Sequence, residues 1–328
     1  MSRPFRSPAI SPGAAGPAHA AIRCLALDAA AAATCGALRG RGIGNVLLKG
    51  AGLGRRLGVS HQRLYNDVDV LVAPSTFDAA QEVLSELGYL PSMSGARADD
   101  WTLSHERPWR IPGPVPLTID LHRGFAGIAE PAAFWTAVSS TAERIELAGG
   151  VVAIPDENCT ALVVALHAAS PGRSAKPRAD LARALDVLGD DAWRAAARIA
   201  GQCGGTSAFA LGLRQVDRGA ELAAALGLRE RTSAAQWIVA HQGSSTAHAM
   251  ARLAELPTTR ARLRHLRLRS VPSAAAMRYS RALARRGPVG LVLAYLVRAI
   301  EHAKSTPGAL RELRTAVRLA RRSGDDGA

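Results

Sequence analysis

The sequence lacks the patterns that identify disulfide-stabilised and zinc-binding proteins. Its four cysteines, Cys24, Cys35, Cys159 and Cys203, are far apart and form no CxxC pair. This spacing argues against a structural zinc site and a disulfide framework, and it suits a reducing compartment. Each cysteine is interpreted as a small buried apolar residue. We therefore expect a cytoplasmic protein.

Long apolar runs are also missing. A helix needs about 18 apolar residues to cross a bilayer, and no run in the sequence approaches that length. The stretch GPVGLVLAYLV, from Gly287 to Val297, is interpreted as a buried helix. The stretch AAIRCLALDAAAAATCGALRG has a composition like that of a signal peptide, but Arg23 and Asp28 interrupt it and the required order of regions is absent. We predict no transmembrane segment.

Lysine is scarce, although the chain is strongly basic. Lys49, Lys176 and Lys304 are the only lysines among 41 basic residues, and the net charge is +14. Residues 251–328 hold 17 Arg and Lys against 5 Asp and Glu, so this quarter of the chain carries +12. Such asymmetry indicates either an anionic partner (nucleic acid, nucleotide phosphates or an acidic membrane surface) or an arginine-rich solvated helix face.

Length and patterning predict two globular domains. A chain of 328 residues, 48% hydrophobic and 21% charged, is long enough for two cores. The proline-rich residues 1–17 predict a flexible tail. Residues 18–155 alternate predicted helices and strands, whereas residues 156–328 show only helical periodicity. The predicted fold class is α+β, with a small mixed sheet followed by an all-helical domain.

Within the first domain, the boundaries follow from glycine, proline and apolar patterns. Helices are predicted over residues 18–39 and from Pro74 to Gly88, where glycine suits the position after a helix. Strands are predicted in NVLLK, DVDVLV and VPLTIDLH. The segment ERIELAGGVVAIP predicts a hairpin that turns at Gly149-Gly150.

Two aspartates interrupt the apolar strand DVDVLV. Side chains two residues apart in a strand point to the same side, so Asp67 and Asp69 project together, away from the valines between them. Neighbouring carboxylates repel each other unless a cation lies between them, and hard oxygen ligands suit Mg²⁺. Asp120, in LTIDLH, would supply a third carboxylate if the two strands are neighbours, and His122 faces the same way as Asp120.

The predicted strand NVLLK ends in a lysine, and a glycine follows it. A glycine at a strand-to-helix turn lets backbone N–H groups approach a phosphate closely, and a lysine adds a positive charge for it. Lys49 and Gly50 supply this pair ahead of the DxD strand and the later aspartate. The ordered set is far more specific than any of its parts.

This order resembles the polymerase-β-type nucleotidyltransferase superfamily, whose signature is a G-[GS] turn, a [DE]h[DE]h strand and a later h[DE]h strand. More closely, VLLKGAGL…R…DVDVLV…LSELGY…IDLH resembles a largely uncharacterised bacterial nucleotidyltransferase family, whose genes often lie beside lasso-peptide or related biosynthetic genes. The match covers about Val46 to His122. A weaker continuation, ALVVALHAAS…KPRADLARALDVL, puts His167, Lys176 and Asp180 in matching places.

The resemblance implies a role for each residue of the pattern. Catalysis and the binding of two Mg²⁺ ions would fall to three carboxylates, Asp67, Asp69 and Asp120. Nucleotide binding would fall to four residues beside them, Lys49, Gly50, Arg63 and His122. The superfamily has a serine where this chain has Ala51, so a hydroxyl contact to the phosphates is missing, and Lys49 and the backbone would substitute for it.

Two interpretations stay open for other polar and aromatic residues. His167 and Asp180 would either line the cleft opposite the metal site or form an ordinary hydrogen bond between helices. Trp101, His105 and Trp109 are predicted in an irregular stretch between strands, where they would either stack on a base or acceptor or pack locally.

The sequence therefore predicts a Mg²⁺-dependent nucleotidyltransferase that moves NMP from an NTP to an acceptor and releases pyrophosphate. Peptide, small-molecule and RNA acceptors all remain open, and RNA would engage basic residues such as Arg262, Arg264, Arg267 and Arg269. The alternative is a non-catalytic nucleotide- or RNA-binding protein that serves a maturation complex. Three intact carboxylates argue against that alternative, since binding alone would not require them all.

Overall fold

The computed structural model describes residues 17–60, 63–92, 105–113, 116–170, 175–228, 233–240, 243–256 and 258–325. Apart from Pro17, the predicted tail lies outside these residues, and so does Trp101. No cysteine is in a disulfide, and Cys24 alone is not buried. The architecture is α+β, as the sequence predicted: a mixed sheet with its helices comes first, and every described element from Glu157 onwards is helical.

The alanine- and leucine-rich segment forms helix α1, Pro17–Gly40. Leu27, Cys35 and Leu38 are fully buried on its inner side, in a cluster with side chains of the sheet. By length and composition, His19–Gly40 is apolar enough to cross a membrane, contrary to the expectation that no segment comes near this limit. Because its inner side belongs to the protein core, this helix is weak evidence for a membrane span.

Five strands form the main sheet, in the order β1-β2-β5-β4-β3. Their bounds are β1 Asn45–Leu47, β2 Asp67–Val72, β3 Leu90–Pro91, β4 Glu106–Ile111 and β5 Leu117–His122. The central pair, β2 and β5, is parallel, and the other pairs are antiparallel. The sheet is therefore small and mixed, and the two strands that carry aspartates are neighbours at its centre.

Short helices follow the first two strands. The turn after β1 leads into α2, Ala51–Arg56, as its sequence predicted. After β2, a 3₁₀ turn at Pro74–Thr76 leads into α3, Phe77–Glu86. Gly88 then adopts φ 77°, the left-handed conformation that favours glycine after a helix.

Strand β4 corrects the interpretation of residues 105–111 as an irregular stretch. Although Pro108 cannot donate a backbone hydrogen bond, β4 pairs along its whole length with β5, from Glu106 opposite His122 to Ile111 opposite Leu117. Trp109 is 3% exposed and packs in the core beneath the sheet. Burial of the indole and the pairing with β5 stabilise the strand by more than the loss of the one backbone hydrogen bond that proline cannot donate. Trp109 thus packs locally.

The hairpin was predicted at the correct place, with its turn one residue too late. Helix α4, Pro131–Ser140, leads into β6, Glu143–Leu147, and β7, Gly150–Ile154. The two turn residues are Ala148, at φ 47°, and Gly149, at φ 78°. Two consecutive positive φ values match the right-handed twist of a two-residue hairpin, so Gly150 belongs to the strand.

Five helices pack on one another and share a hydrophobic cluster with the sheet face that carries the aspartates. They are α5 Glu157–Ala168, α6 Lys176–Val187, α7 Asp190–Gln202, α8 Thr206–Leu213 and α9 Asp217–Ala225. Leu71 of β2 shares one hydrophobic cluster with Leu162 of α5 and Leu181 of α6. The next side chain on that face, two residues earlier in the strand, is Asp69. Helices α5 and α6 therefore stand over the aspartates of β2.

The remaining helices form smaller clusters of their own. Their bounds are α10 Ala234–Ala240, α11 Ser245–Glu255, α12 Thr259–Ser270, α13 Ala274–Ser280 and α14 Gly287–Asp325, with a 3₁₀ turn at Ala282–Arg285. Ile238, Ala251 and Ala309 pack in one cluster, and Met277 and Ala294 in another. The prediction of a buried helix from Gly287 to Val297 was correct for the helix and wrong for much of its surface, since Val289 is 71% exposed.

Candidate active site

Strand pairing brings the three predicted carboxylates together. In β2, Val68 and Val70 are buried on the α1 side of the sheet, so Asp67 and Asp69 project to the side of α5 and α6. The parallel register places Asp69 directly opposite Asp120 of β5. The condition on which the third carboxylate depended, that the two strands are neighbours, is therefore met.

Lys49 lies on the central aspartate. The backbone N–H of Leu48 donates to the carbonyl of Asp69 at 2.9 Å, which holds the end of β1 beside β2. The Nζ of Lys49 then lies 2.7 Å from Oδ1 of Asp69, and the two side chains are 13% and 3% exposed. The lysine predicted for the phosphates is thus engaged, in the protein without ligands, by a carboxylate predicted for the metal.

His122, the last residue of β5, contacts the same carboxylate of Asp69. Its Nε2 lies 3.0 Å from Oδ1 of Asp69, its Nδ1 lies 3.5 Å from Oε2 of Glu106, and its side chain is 2% exposed. The ring stacks on Phe125 with centroids 6.0 Å apart. A nucleotide contact by His122 stays a prediction. The contacts in the structure suit an imidazole that orients Asp69.

Arg63 is held by the helical part of the chain. Its Nε and Nη2 each donate to a carboxylate oxygen of Asp180 in α6 at 3.0 Å, and the side chains are 6% and 9% exposed. Its Nη1 donates to the carbonyl of Gly50 at 3.0 Å. All three guanidinium nitrogens of Arg63 therefore donate hydrogen bonds within the protein. The nucleotide contact predicted for Arg63 stays a prediction.

The glycine turn is shaped by its backbone. Gly50 adopts φ 66° and ψ −134°, a conformation that residues with a side chain rarely adopt. Because Arg63 binds the carbonyl of Gly50 and Asp180 binds Arg63, helix α6 fixes this turn across the chain. Asp180 thus forms a contact between the two parts of the fold, and its partner is Arg63 rather than a second helix.

The carboxylates carry more negative charge than the nearby side chains neutralise. Burial would raise the pKa of Asp69, but the charge of Lys49 and the hydrogen bond from His122 outweigh it, and the pKa is lowered. Burial and the charge of Asp69 raise the pKa of Asp67. Burial, together with the charges of Asp69, Glu106 and Asp67, raises the pKa of Asp120 to about 8. Asp67 and Asp120 are therefore the two carboxylates whose ionised form their surroundings disfavour.

The pKa values of the basic side chains around the aspartates are shifted by burial and by the neighbouring charges. Burial would lower the pKa of Lys49, but the carboxylates around it raise that pKa above its ordinary value. Burial and the charge of Arg63 lower the pKa of Lys176, at the start of α6. Burial and the charge of Lys49 lower the pKa of His167 to about 4, so this imidazole is neutral at pH 7. The basic groups of α5 and α6 thus stand within electrostatic reach of the aspartates.

The chemistry of this donor set fits Mg²⁺. Carboxylate oxygens are the ligands that the ion prefers, and the pKa values of two of the three, Asp67 and Asp120, are raised above their ordinary value. Within the described ranges, however, no three His, Cys, Asp or Glu side chains are gathered as a metal centre. Lys49 occupies the position of a cation beside Asp69. Asp67 and Asp120 are therefore the better candidates for first contact with an ion, and the number of ions stays a prediction.

The sequence missed one residue of the site. Glu106 reaches His122 from β4 and contacts Asp120 electrostatically. Nothing in the local pattern indicated this, because β4 itself was not predicted. His105 lies beside Glu106, with its Nε2 3.4 Å from the carboxylate, rather than on a surface free for base stacking.

Comparison with known proteins identifies the family of the chain. A family described as "uncharacterised nucleotidyltransferase" matches residues 18–218, more than half of the chain. A comparison with curated proteins found no match. Among solved structures, the chain is similar to the solution structure of the antibiotic-resistance factor ANT(2'')-Ia, with 15% identity and a TM-score of 0.37 over 52% of this chain and 88% of that one. By the extent of the family match, this chain belongs to the uncharacterised nucleotidyltransferase family.

Proposed function

We propose that the protein transfers NMP from a nucleoside triphosphate to an acceptor in a Mg²⁺-dependent reaction that releases pyrophosphate. The observation that carries this proposal is the meeting of Asp67, Asp69 and Asp120 on two adjacent parallel strands, with Lys49 beside them, in a member of a nucleotidyltransferase family. A protein that only binds nucleotides would have no need for three carboxylates on two adjacent strands.

Asp67, Asp69 and Asp120 would hold the magnesium. When bound, the ion supplies positive charge that stabilises the attacking and leaving oxygens of an in-line displacement at the α-phosphate. In that displacement, the acceptor oxygen forms a bond to the α-phosphorus, and the bond from this phosphorus to pyrophosphate breaks.

Asp120 is suited to take the proton of the acceptor. This role follows from the resemblance, which gives the third carboxylate both metal binding and help in deprotonating the attacking group. His122 would keep Asp69 in a fixed orientation through its Nε2, and the carboxylate of Glu106 lies 3.5 Å from the other ring nitrogen. These two side chains would therefore support the carboxylate without touching the substrate.

Two lysines are available for the triphosphate. Lys49 would exchange Asp69 for a phosphate oxygen once another cation neutralises the carboxylate. Lys176 makes no ion pair within the described part of the chain, and its side chain is partly exposed beside Asp67. Arg63 would act at a distance, by fixing the Gly50 turn.

The acceptor and the cellular context are proposals of a weaker kind. A peptide, a small molecule and RNA all present a hydroxyl or phosphate that could attack the α-phosphate. Of the arginines predicted for RNA, Arg262 binds the carbonyls of Leu256 and Ala254 at the end of α11, and the side chains of Arg264 and Arg269 lie outside the described residues. Peptide modification and a cytoplasmic location therefore rest on the sequence resemblance and on the cysteine pattern.

Labelled nucleotides test the proposal directly. The full-length protein is incubated with each α-labelled NTP and Mg²⁺, and label is followed into peptide, small-molecule and RNA fractions of a cell extract. We expect one fraction to gain label as pyrophosphate is released. Nucleotide binding without transfer to any fraction would favour the non-catalytic alternative.

Asp120→Asn is the most informative variant. It should abolish transfer, because an amide neither binds Mg²⁺ well nor takes a proton. The folded-state pKa of Asp120 is raised, so its ionisation opposes folding increasingly from pH 4 to pH 8. In metal-free buffer at pH 7, the variant should therefore melt no lower than the wild type. The matched control is Asp78→Asn, an exposed aspartate on α3, which should retain activity. Transfer that survives in Asp120→Asn would contradict the assignment.

A further inference from the structure

The outer side of helix α14 carries a surface that nucleotidyl transfer does not use. Six apolar side chains in its first half are 39–71% exposed: Val289, Val292, Leu293, Leu296, Val297 and Ile300. Their spacing of three and four residues places them on one side of the helix, over about 16 Å. On the opposite side, Ala294, Ala309 and Ala316 are buried against the protein.

The same side of the helix becomes basic in its second half. Lys304, Arg311, Arg314 and Arg318 follow Ile300 at intervals of three, four and seven residues, and their side chains are exposed. We name these ten residues, six apolar and four basic, the α14 outer face. The family match ends at residue 218, so this face lies outside the part of the chain that the family shares.

We propose that the α14 outer face binds an anionic lipid surface. Helices that lie in a membrane interface bury aliphatic side chains at the boundary of headgroups and acyl chains, while lysine and arginine contact the headgroups. Here the apolar half would enter that boundary, and the basic half would lie on anionic headgroups, where each cation adds to the attraction. The net charge of +12 over residues 251–328 supports the same orientation.

The composition of the face argues for lipid over two other occupants. A second copy of the chain would bring a region of +12 against another of +12, so close pairing would be opposed by charge. RNA would pair with the cations, but phosphates and bases gain little from exposed valine, leucine and isoleucine; single-stranded bases stack on aromatic side chains and arginine instead. An anionic membrane surface accommodates both halves of the face.

The test is cosedimentation of the full-length protein with vesicles. One set is phosphatidylcholine alone, and the other contains phosphatidylserine as well. We expect binding to the anionic vesicles at low salt, weaker binding as salt rises, and little binding to the neutral vesicles. Lys304→Gln/Arg311→Gln/Arg314→Gln should lower partitioning roughly a hundredfold. No binding to anionic vesicles at low salt would overturn the proposal.

A second variant tests the apolar half of the face. Leu293→Gln/Leu296→Gln/Ile300→Gln changes exposed positions, so the melting temperature should hold while vesicle binding is lost. The matched control for these changes is Ile22→Gln/Leu25→Gln, two apolar residues of α1 that are 65% and 68% exposed. Loss of binding in the control instead would assign the membrane contact to α1 and overturn the proposal.

Charge alone is controlled separately. Arg39→Gln/Arg144→Gln/Arg198→Gln removes three exposed arginines from other parts of the surface and should leave vesicle binding largely intact. RNA binding that depends on the basic half but not on the apolar half, without vesicle binding, would identify a nucleic-acid surface. Self-association that the apolar variant abolishes, again without vesicle binding, would identify a dimer contact. Either result would refute lipid binding, and neither bears on nucleotidyl transfer.

Discussion

Replacement of Asp180 by asparagine should destabilise the protein severely. The carboxylate receives two hydrogen bonds of 3.0 Å from Arg63, and the paired side chains are 6% and 9% exposed, so water screens the pair little. A neutral amide at this position would leave the buried guanidinium without a counterion. Removing one partner of such a pair typically costs about 3–5 kcal/mol. At a few degrees per kcal/mol, the melting temperature should fall by roughly 10 °C.

A matched control is available on the same helix. Asp186 also pairs with an arginine, Arg218, at 2.7 Å, but these two side chains are 58% and 63% exposed. Asp186→Asn should therefore cost less than about 1 kcal/mol. Chemical denaturation and thermal melting by circular dichroism measure both variants. Equal losses for Asp180→Asn and Asp186→Asn would refute the conclusion that the Arg63–Asp180 pair is desolvated.

A double-mutant cycle separates the cost of an unpaired charge from the contribution of the pair. Measured beside the single variants Arg63→Met and Asp180→Leu, the double variant Arg63→Met/Asp180→Leu should recover a large part of the stability that Asp180→Leu alone loses, because neither charge is then left buried alone. Recovery should be incomplete, since Arg63 also binds the carbonyl of Gly50. Transfer activity should stay low in the double variant even where stability returns, because the Gly50 turn has lost its support.

Two further predictions concern groups beside the carboxylates. The folded-state pKa of His167 is about 4, below the ordinary value of 6.5, so the unfolded chain binds the proton more tightly and stability falls as pH drops through this window. Between pH 7 and pH 5, His167 should lower the free energy of unfolding of the wild type by about 2 kcal/mol. Urea unfolding at both pH values should show a loss smaller by that amount in His167→Leu. Equal losses in the variant and the wild type would contradict the assignment. Lys49→Met should destabilise the metal-free protein by about 3 kcal/mol or more, because Asp69 stays buried without its cation. Mg²⁺ should then raise the melting temperature of this variant more than that of the wild type, as measured by calorimetry. Equal increases in the two proteins would show that the ion does not neutralise Asp69 in place of the lysine.

Local patterns were sufficient where one physical rule decides the outcome. Alternation in DVDVLV set which side chains of β2 are buried and which project, because the strand period is two whatever the neighbours are. Gly88 ended its helix region in the left-handed conformation that only glycine adopts readily. Local patterns failed for β4, which was interpreted as an irregular stretch; only its pairing with β5 and the burial of Trp109 make it a strand.

The sequence by itself determined that this chain carries a glycine turn, a DxD strand and a third aspartate, since these depend on residue type and spacing along the chain. Only the tertiary structure decided which partner each of them holds. Lys49 and Arg63 were both assigned to phosphates from their positions, yet one lies on Asp69 and the other on Asp180, 117 residues away in the chain. Sequence spacing cannot rank such partners, because a buried cation binds whichever carboxylate the packing brings within reach.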